Sequence, residues 1–145
     1  MVSSGRPQVR ADLSLLDILL WVLTAFSAAM TLVFSIGLVP PGADGFPHAD
    51  KVWHGLAYFI TSLLFLLAAV WRPGRGAGPF PRAGIPFALL GSAAGGLVEI
   101  AQGFTATRDP EFLDWMADAV GILAALGVVV VLRARTGDSR DSSHA

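Results

Sequence analysis

The sequence predicts an all-α fold: a polytopic membrane protein built as a bundle of four transmembrane helices, with both termini in the cytoplasm. Of its 145 residues 54% are hydrophobic and only 14% are charged, whereas soluble domains usually carry about 25% charged residues. The apolar residues also form long uncharged blocks. Each block has about 20 residues, the length needed to cross roughly 30 Å of hydrocarbon at 1.5 Å per residue.

Four such blocks follow one another along the chain, and turn-forming or basic stretches such as "PPG", "RPGRG" and "RARTG" separate or end them. The predicted spans are 13–39, 52–71, 85–104 and 113–132. They make one domain over 1–135, and the polar sequence 136–145 is predicted to be a disordered tail. The first span must tilt or extend past the interface. A cleaved signal peptide is the alternative for it, but its apolar run is too long for one.

The distribution of basic residues predicts how the helices are oriented. Eight of the ten Lys and Arg residues lie before the first span, between the second and third spans, or after the fourth. Only Lys51 and Arg108 lie in the other two connections. Because cytoplasmic loops carry the excess of Lys and Arg, both termini are predicted to be cytoplasmic, and the connections near 40–51 and 105–112 to be outside.

Polar residues gather at the predicted outer ends of the last three spans. Apart from Lys51, which follows Asp50 directly, the polar residues within each of these spans are three or four residues apart, so they share a helix face. Glu99 and Asp118 lie roughly 7–8 Å inside their span ends. A charge facing lipid at the helix centre costs about 2.5–3.5 kcal/mol, and somewhat less near the interface, so these groups are predicted to point inward. The full set is Asp50, Lys51, His54 and Tyr58, then Glu99 and Gln102, then Arg108, then Asp114 and Asp118.

Two chemical roles are predicted for this set. Carboxylates beside a histidine can perform general acid–base catalysis or hold a divalent cation. A guanidinium has the fork geometry that suits an anionic phosphate. The candidate catalytic residues are Asp50, His54, Glu99, Asp114 and Asp118. The candidate ligand-binding residues are Lys51, Tyr58, Gln102 and Arg108.

Ordinary structural roles are the alternative for several of these residues. Asp50 would interact favourably with the dipole of a helix that starts beside it. His54 could be a hydrogen-bonded structural histidine, and Asp114 could cap the last helix. Arg108 could pair with Asp109 or Glu111 on the surface.

Small residues predict close helix packing next to the polar groups. Gly91 and Gly95 form a GxxxG pattern in the third span, and Gly121 with Ala125 repeats the spacing in the fourth. Such residues let neighbouring helices approach closely. The third and fourth spans are therefore predicted to bring their polar ends together.

The order of these motifs along the chain resembles the VanZ-like family. The motifs are "DKxxHxxxY", then "ExxQ", then Arg108, then "DxxxD". The resemblance extends from Asp50 to Leu132, and the first span is compatible in type. It implies a small integral membrane protein of about four helices. The founding member of the family is linked to resistance to the glycopeptide teicoplanin. The chain departs from the pattern at Asp118, where many relatives have Asn, and the extra carboxyl adds a potential negative charge.

The function predicted from these features is a polar site at the outer membrane face that binds or acts on a lipid-linked or anionic envelope ligand. An accessory membrane subunit, with the polar groups as a packing network, is the alternative. A transporter is less favoured, because the inner halves of the spans lack polar groups apart from Asp17. The expected partners are the lipid bilayer and that ligand, with a divalent metal ion as a potential cofactor. The net charge of −1 gives no reason to expect nucleic acid, and the lack of cysteine excludes thiolate chemistry.

Overall fold

The computed structural model describes residues 14–35, 49–69, 80–104 and 111–141, without the side chains of 80–83 and 136–141. These residues form helices and turns and contain no strand. The helices are α1 (Leu15–Ser35), α2 (Ala49–Ala69), α3 (Phe80–Gln102) and α4 (Phe112–Asp141). Each includes a stretch long and apolar enough to cross a membrane. The predicted all-α class with four candidate membrane spans is confirmed, and the side on which the termini lie stays a prediction.

The helix ends differ from the predicted spans at several points. Helix α4 continues to Asp141, so residues 136–141 are helical where the sequence predicts a disordered tail. No proline interrupts this stretch, and extending a formed helix is much easier than nucleating one. Helix α2 begins at Ala49, three residues before the predicted span, which places Asp50 and Lys51 in its first turn. Residues 36–39, 70–71 and 142–145 lie outside the described part of the chain.

Helices α2 and α4 form the central pair of the bundle. Helix α1 packs on α2, helix α3 packs on α4, and α1 and α3 have only a small contact with each other. Gln102 at the end of α3 reaches Ser35 at the end of α1, and Lys51 near the start of α2 reaches Asp114 near the start of α4. The carboxyl ends of α1 and α3 therefore lie at the same end of the bundle as the amino ends of α2 and α4. We call this the polar end.

One face of α4 changes from polar to apolar along the helix. Its buried side chains recur every three or four residues, which is the spacing of a single helix face. Asp114 and Asp118 come first, at the polar end, and Ala125 and Val129 follow. Ala125 and Val129 pack with Leu66 of α2 as the buried apolar core. The central pair thus has a carboxylate-lined end and an apolar remainder.

The central helices touch through two glycines. A Cβ atom on Gly121 would collide with the carbonyl oxygen of Gly55 and lie 2.9 Å from the backbone nitrogen of Phe59. Helix α3 approaches α4 in the same manner, because the Cβ position of Gly91 is 3.1 Å from Ile122. Likewise, that of Gly95 is 3.0 Å from Asp118 Oδ2. The predicted small-residue positions are therefore sites of close helix approach.

Helix α1 is joined to α2 by hydroxyl groups. Thr61 Oγ1 lies 2.7 Å from Ser27 Oγ and 3.0 Å from Thr31 Oγ1. Hydrogen bonds of this type hold helices together in lipid, where apolar burial supplies no driving force between them. At the opposite end of the bundle, Ser14 and Asp17 form a reciprocal capping box at the start of α1. Asp17, the acidic residue predicted near the inner end of the first span, thus has a capping role.

Substitution of Thr61 by valine is expected to weaken the attachment of α1 by about 1 kcal/mol, because interhelical hydrogen bonds in membrane proteins contribute about 0.6–2 kcal/mol. The matched control is Thr24→Val. Thr24 donates to Leu20 of its own helix at 2.7 Å, so its loss removes no link between helices. Unfolding in mixed detergent measures both changes, and an equal loss in the two variants would contradict a role for Thr61 in joining α1 to α2.

The outer surface of the bundle is apolar. Large hydrophobic side chains are exposed on all four helices, including Leu15 (83%), Leu90 (71%) and Val120 (63%). A soluble protein rarely exposes contiguous apolar surface of this kind. In hydrocarbon these side chains have their favoured surroundings, in agreement with four membrane-crossing helices.

Candidate functional site

Eight of the nine predicted site residues lie at the polar end of the bundle. They come from three helices, each of which presents polar groups on the face that meets its neighbours. Arg108 lies outside the described residues. The eight residues are Asp50, Lys51, His54 and Tyr58 of α2, Glu99 and Gln102 of α3, and Asp114 and Asp118 of α4. They form two layers, one at the helix ends and one a turn deeper.

The first layer, the lysine cluster, consists of Lys51 with Asp50, Glu111 and Asp114. The ammonium of Lys51 donates to Asp50 Oδ2 at 2.7 Å, to Glu111 Oε2 at 2.6 Å and to Asp114 Oδ1 at 2.7 Å. An ammonium has three protons, so all of its donors are engaged. Lys51 thereby joins α2 to α4. It can hold an external anion only by giving up one of these ion pairs.

The second layer, the histidine cluster, consists of His54, Glu99 and Asp118. All three are buried, with 7%, 6% and 1% of their surface exposed. His54 Nδ1 hydrogen-bonds to Asp118 Oδ1 at 3.2 Å. One nitrogen or oxygen ligand atom from each of the three residues lies within 4.8 Å of the others. The sequence motifs of three separate helices therefore converge at one buried position.

Asp114 connects the two layers. Its Oδ1 accepts from Lys51, and its Oδ2 lies 3.9 Å from Nε2 of His54. The two nitrogens of His54 thus face two carboxylates, Asp118 on one side and Asp114 on the other. Carboxylates so placed orient an imidazole ring and influence which of its nitrogens carries the proton. Asp114 lies in the first turn of α4, where it forms the ion pair with Lys51.

Glu99 links α3 to α4 and keeps one oxygen unused. Its Oε2 accepts the backbone N–H of Glu111, the residue before α4, at 3.0 Å. Its Oε1 is buried and has no hydrogen-bond partner, and the same is true of Asp118 Oδ2. Buried polar atoms are ordinarily hydrogen-bonded, because an unpaired one costs free energy. These two oxygens therefore have unused capacity for a ligand.

Gln102 and Tyr58 lie beside the clusters. Gln102 is buried, and its Nε2 donates to the carbonyl of Ser35, one of the carbonyls that a helix end leaves without an intrahelical partner. Gln102 thereby attaches the end of α3 to the end of α1. The Cβ position of Gly95 lies 3.5 Å from the Tyr58 hydroxyl and 3.0 Å from Asp118 Oδ2, so Tyr58 adjoins the histidine cluster.

Two contacts at the polar end were not predicted. Arg108, suggested as a partner of Glu111, lies outside the described residues. Glu111 pairs with Lys51. Its position one residue before a helix start, three before Asp114, was the available signal, since acidic side chains favour helix amino ends. The indole N–H of Trp115 donates to the carbonyl of Ser92 at 2.9 Å. It thereby fastens α4 to α3 beside the site.

The polar end is rich in carboxylates. Five of them, at Asp50, Glu99, Glu111, Asp114 and Asp118, face the cationic Lys51 and the ionisable His54. Two groups have the spacing of metal ligands. In the group of Asp50, Glu111 and Asp114, the ammonium of Lys51 already contacts all three. The histidine cluster is therefore the better candidate for a cation.

The arrangement can perform two kinds of chemistry. The His54–Asp118 pair can take up or deliver a proton, and the histidine cluster has the nitrogen and oxygen ligands that divalent metals use. The comparisons with other proteins add nothing to this assignment: the chain matches no family model, no curated protein and no solved structure. The resemblance to the VanZ-like family therefore stays a prediction that rests on the ordered motifs alone.

Proposed function

We propose that this chain is a VanZ-like membrane protein whose polar end binds the headgroup of a lipid-linked envelope ligand. The observation that carries the proposal is the convergence of His54, Glu99 and Asp118 from three helices in a buried cluster. Ionisable groups inside a membrane bundle are expensive to place and usually serve a function. Two unpartnered carboxylate oxygens in the cluster leave capacity to hold a ligand.

The proposed site lies at the end of the bundle that we place at the outer face of the cell membrane. The support is the distribution of basic residues, since the sequence from the end of α1 to the first turn of α2, together with that between α3 and α4, carries only Lys51 and Arg108 of the ten in the chain. The positive-inside rule assigns such connections to the outside. Lipid-linked precursors of the cell envelope are exposed there, and the exposed apolar helix faces give their chains a route along the bundle.

The chemistry of the site favours a headgroup that donates hydrogen bonds. The described side chains carry more carboxylates than cations, and Lys51 is already held by three of them. Hydroxyl and amine groups, such as those of a sugar, suit carboxylate oxygens. Recognition of a phosphate is assigned to Arg108, whose guanidinium suits that group. If the bound ligand is also transformed, the His54–Asp118 pair is the proposed acid–base group.

A structural role is the second candidate for part of the polar end. The lysine cluster favours it, because Lys51 joins α2 to two carboxylates at the start of α4. We assign helix closure to this outer layer and ligand binding to the histidine cluster beneath it. An accessory subunit without ligand chemistry would need only the outer layer, so substitutions in the inner layer separate the two functions.

Substitutions in the histidine cluster test the proposal. The purified protein in nanodiscs is expected to bind a polyprenyl phosphate that carries a sugar more tightly than the bare polyprenyl phosphate. Glu99→Gln and His54→Ala are expected to weaken this binding by at least about tenfold, because charged hydrogen bonds to a ligand contribute about 1.5–3 kcal/mol each. Native mass spectrometry or a titration of intrinsic fluorescence measures the affinities.

Asp17→Asn, at the opposite end of the bundle, is the matched control and is expected to bind the glycolipid like the wild type. Equal binding by the wild type and both histidine-cluster variants would contradict the proposal. The resemblance to the VanZ-like family suggests a second test, in a host cell. Expression of this protein is expected to lower the susceptibility of the host to teicoplanin. Glu99→Gln is expected to abolish that effect, although the amount of protein in the membrane is unchanged.

A further inference from the structure

We propose that His54, Glu99 and Asp118 form a binding site for one divalent metal ion. Each offers a ligand atom within 4.8 Å of the other two, and each comes from a different helix. This proposal concerns the same three residues as the headgroup site proposed above and adds a metal ion to them. It is a property of the folded chain that can be measured without knowing the physiological ligand.

The spacing of the ligand atoms is close to that around a metal ion. Nitrogen and oxygen ligands lie about 2.0–2.2 Å from Zn²⁺, so two of them in a tetrahedral site are about 3.3–3.6 Å apart. The three atoms are within 4.8 Å of one another. Side-chain rotations that bring these atoms closer by about 1 Å would give the spacing of a metal site.

The two carboxylates of the histidine cluster also favour a bound cation. Glu99 and Asp118 are buried, and each keeps one oxygen without a hydrogen-bond partner. Among the described side chains, the ammonium of Lys51 is engaged by the other three carboxylates. Arg133 and Arg135 lie near the far end of α4. A divalent cation would neutralise both buried carboxylates and use the two free oxygens, which removes the cost of burying them unpaired.

Neighbouring groups already hold the proposed ligands in place. The backbone N–H of Glu111 donates to Oε2 of Glu99 and leaves Oε1 for the metal. The two nitrogens of His54 face Asp118 and Asp114, so either can face the ion while the other faces a carboxylate. Metal-binding histidines characteristically donate their second N–H to a carboxylate, and the carboxylate nearest to Nε2 of His54 is Asp114, 3.9 Å away. Lys51 in turn fixes Asp114 at 2.7 Å.

The ligand set indicates which metals fit. One imidazole and two carboxylates suit Mn²⁺, Fe²⁺ or Zn²⁺ better than Ca²⁺ or Mg²⁺, which prefer oxygen alone. Three protein ligands leave at least one coordination position for water or for a ligand oxygen. An ion there would let a carboxylate-rich site accept an anionic group that its own side chains repel.

Metal binding by the full chain tests the inference. Detergent-purified protein is stripped with a chelator and dialysed against Zn²⁺ or Mn²⁺, and bound metal is counted by mass spectrometry. We expect saturation at one ion per chain and a rise in the melting temperature. Glu99→Gln and Asp118→Asn are expected to lower the affinity at least about tenfold. Glu111→Gln changes a nearby carboxylate outside the cluster and is expected to bind like the wild type.

Three results would overturn the inference. One is a folded wild type that binds no ion at millimolar metal. Another is an unchanged affinity in both Glu99→Gln and Asp118→Asn. The third is loss of binding in Glu111→Gln alone, which would place the ion in the lysine cluster. If the cluster variants do not fold, the wild type alone provides the test. Added metal would then change neither its carboxylic-acid infrared band nor its melting temperature if protons, and not a metal ion, neutralise the two carboxylates.

Discussion

Replacing Gly121 by alanine is expected to separate α2 from α4 and to destabilise the protein by about 1–3 kcal/mol, the usual cost of overpacking a core. The new Cβ would collide with the carbonyl of Gly55 and come within 2.9 Å of the Phe59 nitrogen. Both are backbone atoms, which cannot rotate away as a flexible side chain can. Leucine at the same position is expected to prevent folding. Thermal unfolding in detergent, followed by circular dichroism and size exclusion, measures the loss.

Gly127→Ala is the matched control for Gly121. It lies on the same helix, and a Cβ there meets nothing within 4 Å. Alanine is favoured over glycine in a helix interior by about 1 kcal/mol, so this variant is expected to be as stable as the wild type or slightly more stable. An equal loss of stability in the two variants would show that any alanine substitution at a glycine of α4 destabilises the protein, and that the contact with Gly55 is not the cause.

Replacing Lys51 by methionine is expected to destabilise the protein by about 3 kcal/mol. Removing one partner of a buried ion pair costs about 3–5 kcal/mol, since the other charge stays buried. Asp114 has only 6% of its side chain exposed, whereas the Lys51 side chain keeps 15%. The lower end of the range therefore applies. The free energy of unfolding, from denaturant titration in mixed micelles, measures the change.

A second substitution identifies which carboxylate causes the loss. Adding Asp114→Asn to Lys51→Met is expected to recover part of the stability, with a coupling energy of about 0.5–3 kcal/mol. Glu111→Gln by itself is expected to cost less than about 1 kcal/mol, because the Glu111 side chain is 52% exposed and exposed ion pairs are weak. Purely additive effects of Lys51→Met and Asp114→Asn would contradict the ion pair between α2 and α4.

Much of the candidate site was predictable, because helix periodicity is local. Asp50, His54 and Tyr58 are spaced to share one face of α2, and Asp114 and Asp118 share one face of α4. The cost of placing charges in lipid predicts that these faces point inward. The structure brings the groups together at one end of the bundle, as that reasoning requires.

The division into two clusters was not predictable. It depends on how α2 and α4 are rotated about their axes. The sequence of one helix does not determine how the other helix is rotated against it. The backbone contact between Gly55 and Gly121 sets that rotation. In this arrangement Lys51 meets Asp114, while His54 meets Asp118 one turn deeper.

The sequence by itself determined the four apolar helices, the end at which polar groups collect and the side chains that face inward. Hydrophobicity and helix periodicity act within each segment, so they can be read without knowing the fold. Only the tertiary structure decided that the ammonium of Lys51 is bound by three carboxylates and that Gln102 binds the end of α1. Partner choice among similar carboxylates depends on distances of a few ångströms between helices, and those distances arise from packing across the whole bundle.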